Sequence, residues 1–197
     1  MLPVPDEALS TRKLEILAEA RKLFSRKGYE AASMRDLAEA LGIKPASLYS
    51  HYDSKEEILW EIAQRCAHEF HEAVLPAAAG SEPPAERLDR MIRAHIEVVI
   101  RNQDASVIFF REWRHLHEPH RSEYAASIAA YEQAFESVLR EGMGAGIFRP
   151  APLRLNTHML LSSLNWVHRW YRPDGAMQVP EIQDHLSKLL LNGLRIP

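Results

Sequence analysis

Residues 33–52 read SMRDLAEALGIKPASLYSHY, and the reading of this stretch decides the fold. Ser33 offers a hydroxyl at the start of a helix, and Asp36 places a carboxylate in its first turn, where unpaired N–H groups carry positive partial charge. Met34, Leu37, Ala38 and Leu41 recur at three-to-four spacing and make one apolar face. Gly42 follows at once and suits the left-handed turn that stops a helix. Pro45 lacks an N–H and fits only the first turn of a new helix, which Ala46 to Tyr49 complete. Two short helices joined by a glycine turn make a helix-turn-helix pattern. The second helix exposes Lys44, Ser47, Tyr49 and His51, donors and flat rings suited to phosphates, base edges and thymine methyls.

The flanks extend the pattern. Behind it, Ser54 and Glu57 repeat the capping arrangement and set Lys55 at a helix N-terminus, within reach of a phosphate. In front, a helix over Thr11 to Lys27, with Leu14, Leu17, Ala18, Arg21 and Phe24 on a 3.6-residue period, runs into Gly28-Tyr29. In series, Gly28-Tyr29, Ser33-Met34-Arg35-Asp36-Leu37-Ala38, Leu41-Gly42-Ile43, Ser47-Leu48-Tyr49, His51-Tyr52 and Ser54-Lys55-Glu56 resemble the TetR family of bacterial repressors, over roughly residues 10–59. The resemblance implies a homodimer with an N-terminal DNA-binding head of three helices and a helical C-terminal domain that binds a small effector. The expected division is therefore 1–55, a helix-turn-helix DNA-binding domain, and 56–197, a helical effector-binding and dimerisation domain. The candidate contacts to a double-stranded DNA operator are Ser33, Arg35, Lys44, Pro45, Ala46, Ser47, Tyr49, His51 and Lys55. Lys44 and Ser47 are expected to discriminate bases, and Tyr49 and Lys55 to sit on phosphates.

With 197 residues, 46% of them apolar and 26% charged, the chain can bury a small head and a larger body. The formal net charge of −3 gives no basic signature of a nucleic-acid binder. Residues 10–55 carry nine Lys or Arg against six Asp or Glu, so a positive face must come from arrangement. Arg12, Lys13, Arg35, Lys44 and Lys55 are its candidates, while Arg21, Lys22, Arg26 and Lys27 read as a solvated helix face. The one cysteine, Cys66, excludes a disulfide within the chain and reads as an inert buried thiol. Met1 to Glu7 has neither a basic nor an apolar leader region, and no apolar run approaches the ~20 residues of a membrane span, so a cytoplasmic protein without membrane contact is expected.

The rest of the chain reads as helices: Lys55 to Leu75, stopped by Pro76; Ala85 to Arg101; a stretch through Val107 to Trp113 ending by Pro119; Pro119 to Glu141; Pro152 to Tyr171; and Pro180 to Leu191. With the head, that makes an all-α fold of about nine helices. The last two are apolar around much of their circumference, so one stripe should pack inward and another against a second copy. Leu160, Leu164, Val167, Leu186, Leu189 and Leu190 are the dimerisation candidates.

Asn165-Trp166-x-x-x-Trp170-Tyr171-Arg172-Pro173-Asp174-Gly175, with Phe109-Phe110-Arg111-Glu112-Trp113 upstream, is similar to the branch of the TetR family that responds to acyl-coenzyme A thioesters in fatty-acid, aromatic-acid or sterol breakdown. Such an effector needs apolar walls for its acyl group and cations for its phosphates. Phe109, Phe110, Trp113, Tyr131, Phe135, Trp166 and Trp170 could supply the first, with Trp166 and Trp170 stacked at i, i+4; Arg111 and Arg169, beside Arg114 and Arg172, could supply the second. No resident cofactor is expected. Glycine-rich phosphate loops, nucleophile elbows and HExxH pairs are absent from the sequence, which argues against an enzyme. His115, His117 and His120, with His95, His158 and His168 elsewhere, keep a metal sensor as one alternative, although the cluster straddles a helix break. A helical interaction protein that never meets DNA is the other.

Overall fold

The structure is a computed structural model that describes residues 9–195. The reading of Met1 to Glu7 lies outside the described residues. Within them the chain is helical, with nine helices of five residues or more, one further helical turn and a single antiparallel bridge between Phe148 and Arg195. No described helix is long and apolar enough to cross a membrane. Two compact units result. One joins the residues up to His68 with Asn102–Ser127; the other joins Glu69–Arg101 with Ile128 onward.

The first unit contains α1 (Thr11–Lys27), α2 (Met34–Ala40), α3 (Pro45–Tyr49), the start of α4 (Lys55–Ala78), α6 (Gln103–Arg111) and the start of α7 (His120–Gly144). Packing thus divides the chain elsewhere than at residue 55, because α6 lies against α1 and brings residues 102–127 into the same core. Ser10 caps α1, its hydroxyl accepting from the Lys13 N–H at 3.3 Å. The inner face of α1 is Ile16, Leu17, Ala20 and Phe24. Leu14, expected on that face, is 48% exposed, one turn off the true stripe. At Ser33 both halves of the capping box form, the Ser33 hydroxyl accepting from the Asp36 N–H and the Asp36 carboxylate accepting from the Ser33 N–H.

The second unit is built on α5 (Pro84–Arg101), packed against α8 (Leu153–Asn165), the single turn α9 (Val167–Trp170) and α10 (Val179–Leu194). Its core holds Leu88, Met91, Ile92, Ile96, Phe135, Leu139, Phe148 and Leu164. Arg93 fastens α10, donating to Asp89 at 2.8 Å and meeting Asp184 at 2.6 Å, while its own carbonyl accepts from Gln183. Three expected boundaries change. Pro76 does not stop α4, which runs to Ala78; a proline in the last turn disturbs only the turn before it. The aromatic stretch ends at Arg111, and Trp113–His115 form a separate 3-10 turn. The helix expected through Tyr171 breaks at Trp166.

Gly42 closes α2 at φ +65°, and nothing lies within 4 Å of where a Cβ would stand. A side chain there meets backbone strain and no clash. Gly42→Ala should therefore cost about 1–2 kcal/mol, and Gly42→Asn clearly less, because asparagine tolerates the left-handed region. Urea titration of the purified variants checks the order; equal losses for both would mean that sterics, and not φ, govern the turn.

Candidate functional site

α3 has one buried residue, Leu48, at 0% exposure. Around that anchor Lys44, Pro45, Ala46, Ser47 and Tyr49 all face solvent, and His51 is half-buried. Ser33 and Arg35 are exposed on the neighbouring α2 end. Eight of the nine candidate contacts thus lie on the surface around α2 and α3, wholly or partly open. Among the described residues Arg35 and Lys44 make no hydrogen bond or ion pair, so their charges are free for a partner.

Lys55 is the exception. Its ammonium donates to the carbonyls of Tyr29 at 2.8 Å and Ala32 at 2.7 Å, with Glu30 at 3.4 Å, and stands 4.2 Å over the Tyr29 ring. Burial holds its pKa below the ordinary lysine value. An ammonium with its donors committed to main-chain carbonyls is a clamp between the α1–α2 turn and the first turn of α4. The expected phosphate contact from Lys55 is corrected accordingly. The Ser54 hydroxyl caps the Glu57 N–H at 3.1 Å, while the Glu57 carboxylate accepts from the N–H of Asp53.

Other cations of this unit are also spent internally. Lys27, expected on a solvated face, meets Asp36 at 2.8 Å; that contact, with the Ser33 hydroxyl and N–H, holds the Asp36 carboxyl at about 2. Arg12 pairs with Glu15, and Lys13 lies over the Tyr52 ring. Tyr52 donates its hydroxyl to Glu61 at 2.8 Å, and burial with that carboxylate pushes its pKa far up. Tyr29 is raised to about 12 by burial, with Glu56 adding to it.

The histidine cluster does not converge. Glu56 collects the His120 ring at 3.0 Å and the His117 N–H at 3.2 Å, the His120 ring stacks on Trp60, and His115 lies against Tyr29 and Glu112. His158 faces Glu132, and His168 meets the Asn165 carbonyl. Among the described residues no group of three ligating side chains could hold a metal ion.

The effector candidates separate by environment. In the first unit Phe109 is buried, Phe110 half-buried and Arg111 exposed, while Trp113 stacks flat on Tyr124 with centroids 5.7 Å apart. In the second unit Tyr131 and Phe135 are buried 5.4 Å apart. Trp166, at 60% exposure, points to solvent; Arg169 and Trp170 are exposed too. The expected Trp166–Trp170 stack does not form, because the helix breaks between them and Trp166 instead meets the His168 ring edge-on at 6.3 Å. The dimerisation candidates divide likewise: Leu160, Leu164 and Val167 point into the core of the unit, Leu186 and Leu190 are half-buried, and Leu189 is 69% exposed. The apolar residues α8 presents to solvent are Leu155, Met159 and, at its end, Trp166. Beside α10 lies a groove of about 800 Å³ walled by Trp170, Met177, Ile182, Leu186 and Leu189.

One group escaped the sequence reading. His95, on the apolar stripe of α5 at 1% exposure, shares a 2.9 Å hydrogen bond between Nδ1 and the Tyr131 hydroxyl. Burial pushes its pKa down to about 3, with the Asn165 carboxamide opposing. The signal was a polar residue between Ile92 and Ile96, amid a run otherwise apolar on that face.

The family model described as "Bacterial regulatory proteins, tetR family" matches residues 16–62, and "Tetracyclin repressor-like, C-terminal domain" matches residues 81–194. The HTH-type transcriptional repressor KstR2 of Rhodococcus jostii strain RHA1 is 29% identical over 190 residues, 95% of this chain and 93% of its own. Among solved structures, the TetR family regulator PfmR from Thermus thermophilus is 38% identical with a TM-score of 0.82, over 92% of this chain and 99% of that one. AibR, solved in complex with isovaleryl coenzyme A and operator DNA, is 28% identical with a TM-score of 0.83, over 91% and 98%. With more than half of the chain under the C-terminal model and the helix-turn-helix under the N-terminal one, this protein belongs to the TetR family of bacterial transcriptional regulators.

Proposed function

We propose that the chain is a ligand-responsive repressor of the cytoplasm: a homodimer that binds a pseudo-palindromic operator and leaves it when an acyl-coenzyme A thioester binds the body. The observation that carries the DNA reading is α3, a short helix anchored by Leu48 whose remaining residues are offered to solvent beside the unpaired charges of Arg35 and Lys44. Lys44 and Ser47 read base edges; Ser33, Arg35, Pro45, Ala46, Tyr49 and His51 set the head on the backbone and against thymine methyls. So short a reader needs two copies on half-sites ~34 Å apart, or a multiple of that.

The second copy docks on the outward apolar face, Leu155, Met159 and Trp166 of α8 with Leu186, Leu189 and Leu190 of α10. Leu160, Leu164 and Val167 support that face from within. The effector class is supported by the likeness to AibR and by the aromatic supply at Phe109, Phe110, Trp113, Tyr131 and Phe135, with Arg111 and Arg169 as cations for phosphates. Release requires a ligand that prefers a conformation unable to seat both heads. The test titrates isovaleryl-, octanoyl- and phenylacetyl-coenzyme A, the matching free acids and free coenzyme A against a complex with duplex DNA from upstream of the protein's own gene. Release by the free acid at equal or lower concentration overturns the thioester class. Failure to retard any such duplex at low salt favours the interaction protein instead.

Salt dependence separates the two lysines. Lys44→Ala should cost about 1–3 kcal/mol at its own base pair and relax selectivity there. Lys55→Met should lower the melting temperature and weaken every duplex, yet leave the slope of log Kd against log salt unchanged, since no phosphate contact is lost. A slope reduced by about one would return Lys55 to the phosphates.

Charge in the two leucine stripes should act differently. Leu189→Glu buries a carboxylate only when two copies meet, so sedimentation should find folded monomers. Leu164→Glu puts the carboxylate into the core and should unfold the unit. A dimeric Leu189→Glu protein would remove α10 from the interface.

A further inference from the structure

Two buried polar atoms of the second unit lack a hydrogen-bond partner: His95 Nε2 on α5 and Asn165 Oδ1 at the end of α8. A polar group buried without a partner costs folding free energy comparable to a lost hydrogen bond, so native chains keep few of them, and each calls for an explanation. The two side chains act on one another without meeting the geometry of a hydrogen bond, the Asn165 carboxamide being the group that opposes the burial of His95. Their surroundings are aromatic: the His95 ring lies 4.8 Å from Phe70 and 6.0 Å from Tyr131, and Tyr131 stacks on His71 at 5.6 Å.

The hydrogen bond at Nδ1 decides what Nε2 can offer. With the Tyr131 hydroxyl donating to Nδ1, the proton sits on Nε2 and faces outward as a donor, while Asn165 Oδ1 is an acceptor. One open donor beside one open acceptor, in an uncharged aromatic setting, matches a neutral ligand that carries both functions. An acyl thioester on a pantetheine arm does so: the thioester carbonyl oxygen accepts, and beyond the sulfur the arm carries an amide N–H. A free carboxylate fits badly, because an uncharged imidazole cannot neutralise it and its burial without a cation is expensive.

We propose that His95 Nε2 and Asn165 Oδ1 are the polar anchor of the effector site, taking the thioester carbonyl oxygen and a pantetheine amide N–H respectively. This rests on the effector class proposed above and adds which atoms select it. Tyr131 acts through His95 as a positioning residue, fixing the tautomer.

The test uses the full-length protein in calorimetric titrations with octanoyl- and isovaleryl-coenzyme A. Each is paired with the thioether in which a methylene replaces the carbonyl. The wild-type protein should prefer thioester over thioether by about tenfold, the worth of one buried hydrogen bond. His95→Phe should weaken thioester binding by that factor and leave the thioether unchanged, erasing the preference. His95→Gln, which keeps a donor, should retain it. Asn165→Leu should weaken both compounds equally, since both carry the amide. Loss of folding in His95→Phe transfers the decision to the Asn165→Leu and His95→Gln proteins. A thioester preference that survives in His95→Phe, or an Asn165→Leu protein that binds both compounds as the wild type does, removes the anchor and leaves the effector class standing. A wild-type protein that binds none of the four overturns both.

Discussion

A five-residue helix does not hold itself together, and the first unit is organised around that constraint. Closing the first helical turn fixes several backbone dihedrals for a single hydrogen bond, so a helix as short as α3 exists only because tertiary contacts impose it. Leu48 supplies the anchor with all of its side chain removed from water. Gly42 sets the angle at which the chain re-enters, the Ser33–Asp36 box holds the start of α2, and Lys55 ties the α1–α2 turn to the first turn of α4 through three carbonyls. The charge balance follows from this. Lys27, Lys13 and Lys55 are consumed in holding the unit together, which leaves Arg35 and Lys44 uncommitted beside α3. With so few free cations, contact geometry must contribute more than counterion release does in a strongly basic reader.

What could be read from the sequence is what short-range chemistry determines. Ser33, Gly42 and Pro45 act on backbone within a few residues of themselves, and the helix-turn-helix, its caps and its bounds stand where those residues put them. Lys55 could not be read this way. The carbonyls it clamps belong to residues 29–32, more than twenty positions earlier, and a lysine at a helix N-terminus looks the same in sequence whether it faces a phosphate or its own chain. Pro76 and Trp166 fail for a related reason. Whether a proline ends a helix or is absorbed in its last turn, and whether a helix kinks beside a tryptophan, depends on what packs on the far side.

On α8 two apolar stripes compete for the inside. Leu160 and Leu164 alternate with Leu155, Met159 and Trp166, and hydropathy alone cannot rank them, since either set would bury comparable area. The choice is made by neighbours. α5 packs against α8, and the side that meets it takes Thr157, Leu160, Leu161 and Leu164. The same packing turns Trp166 outward. An apolar stripe of this size left open on a helical domain is the signature of a partner, which is why the outward leucines, methionine and tryptophan, and not the buried leucines first singled out, carry the dimer proposal.

The second unit could have been filled with aliphatic side chains alone, and α5 comes close, with Leu88, Met91, Ile92, Ile96 and Val99 all buried. His95 interrupts that run. A leucine there would cost nothing in hydrogen bonding, whereas the imidazole gives up hydration, shares only one of its two nitrogens with Tyr131, and is driven uncharged by its surroundings. Local choices that weaken a fold tend to sit where function needs them, since elsewhere packing would favour the apolar residue. An uncharged donor in a closed aromatic setting is also a selective one. It rewards a carbonyl and offers nothing to a carboxylate, whose own desolvation would go uncompensated. A regulator that must report a thioester in the presence of the free acid gains its discrimination from that asymmetry more readily than from any added contact to the acyl chain, which both compounds share.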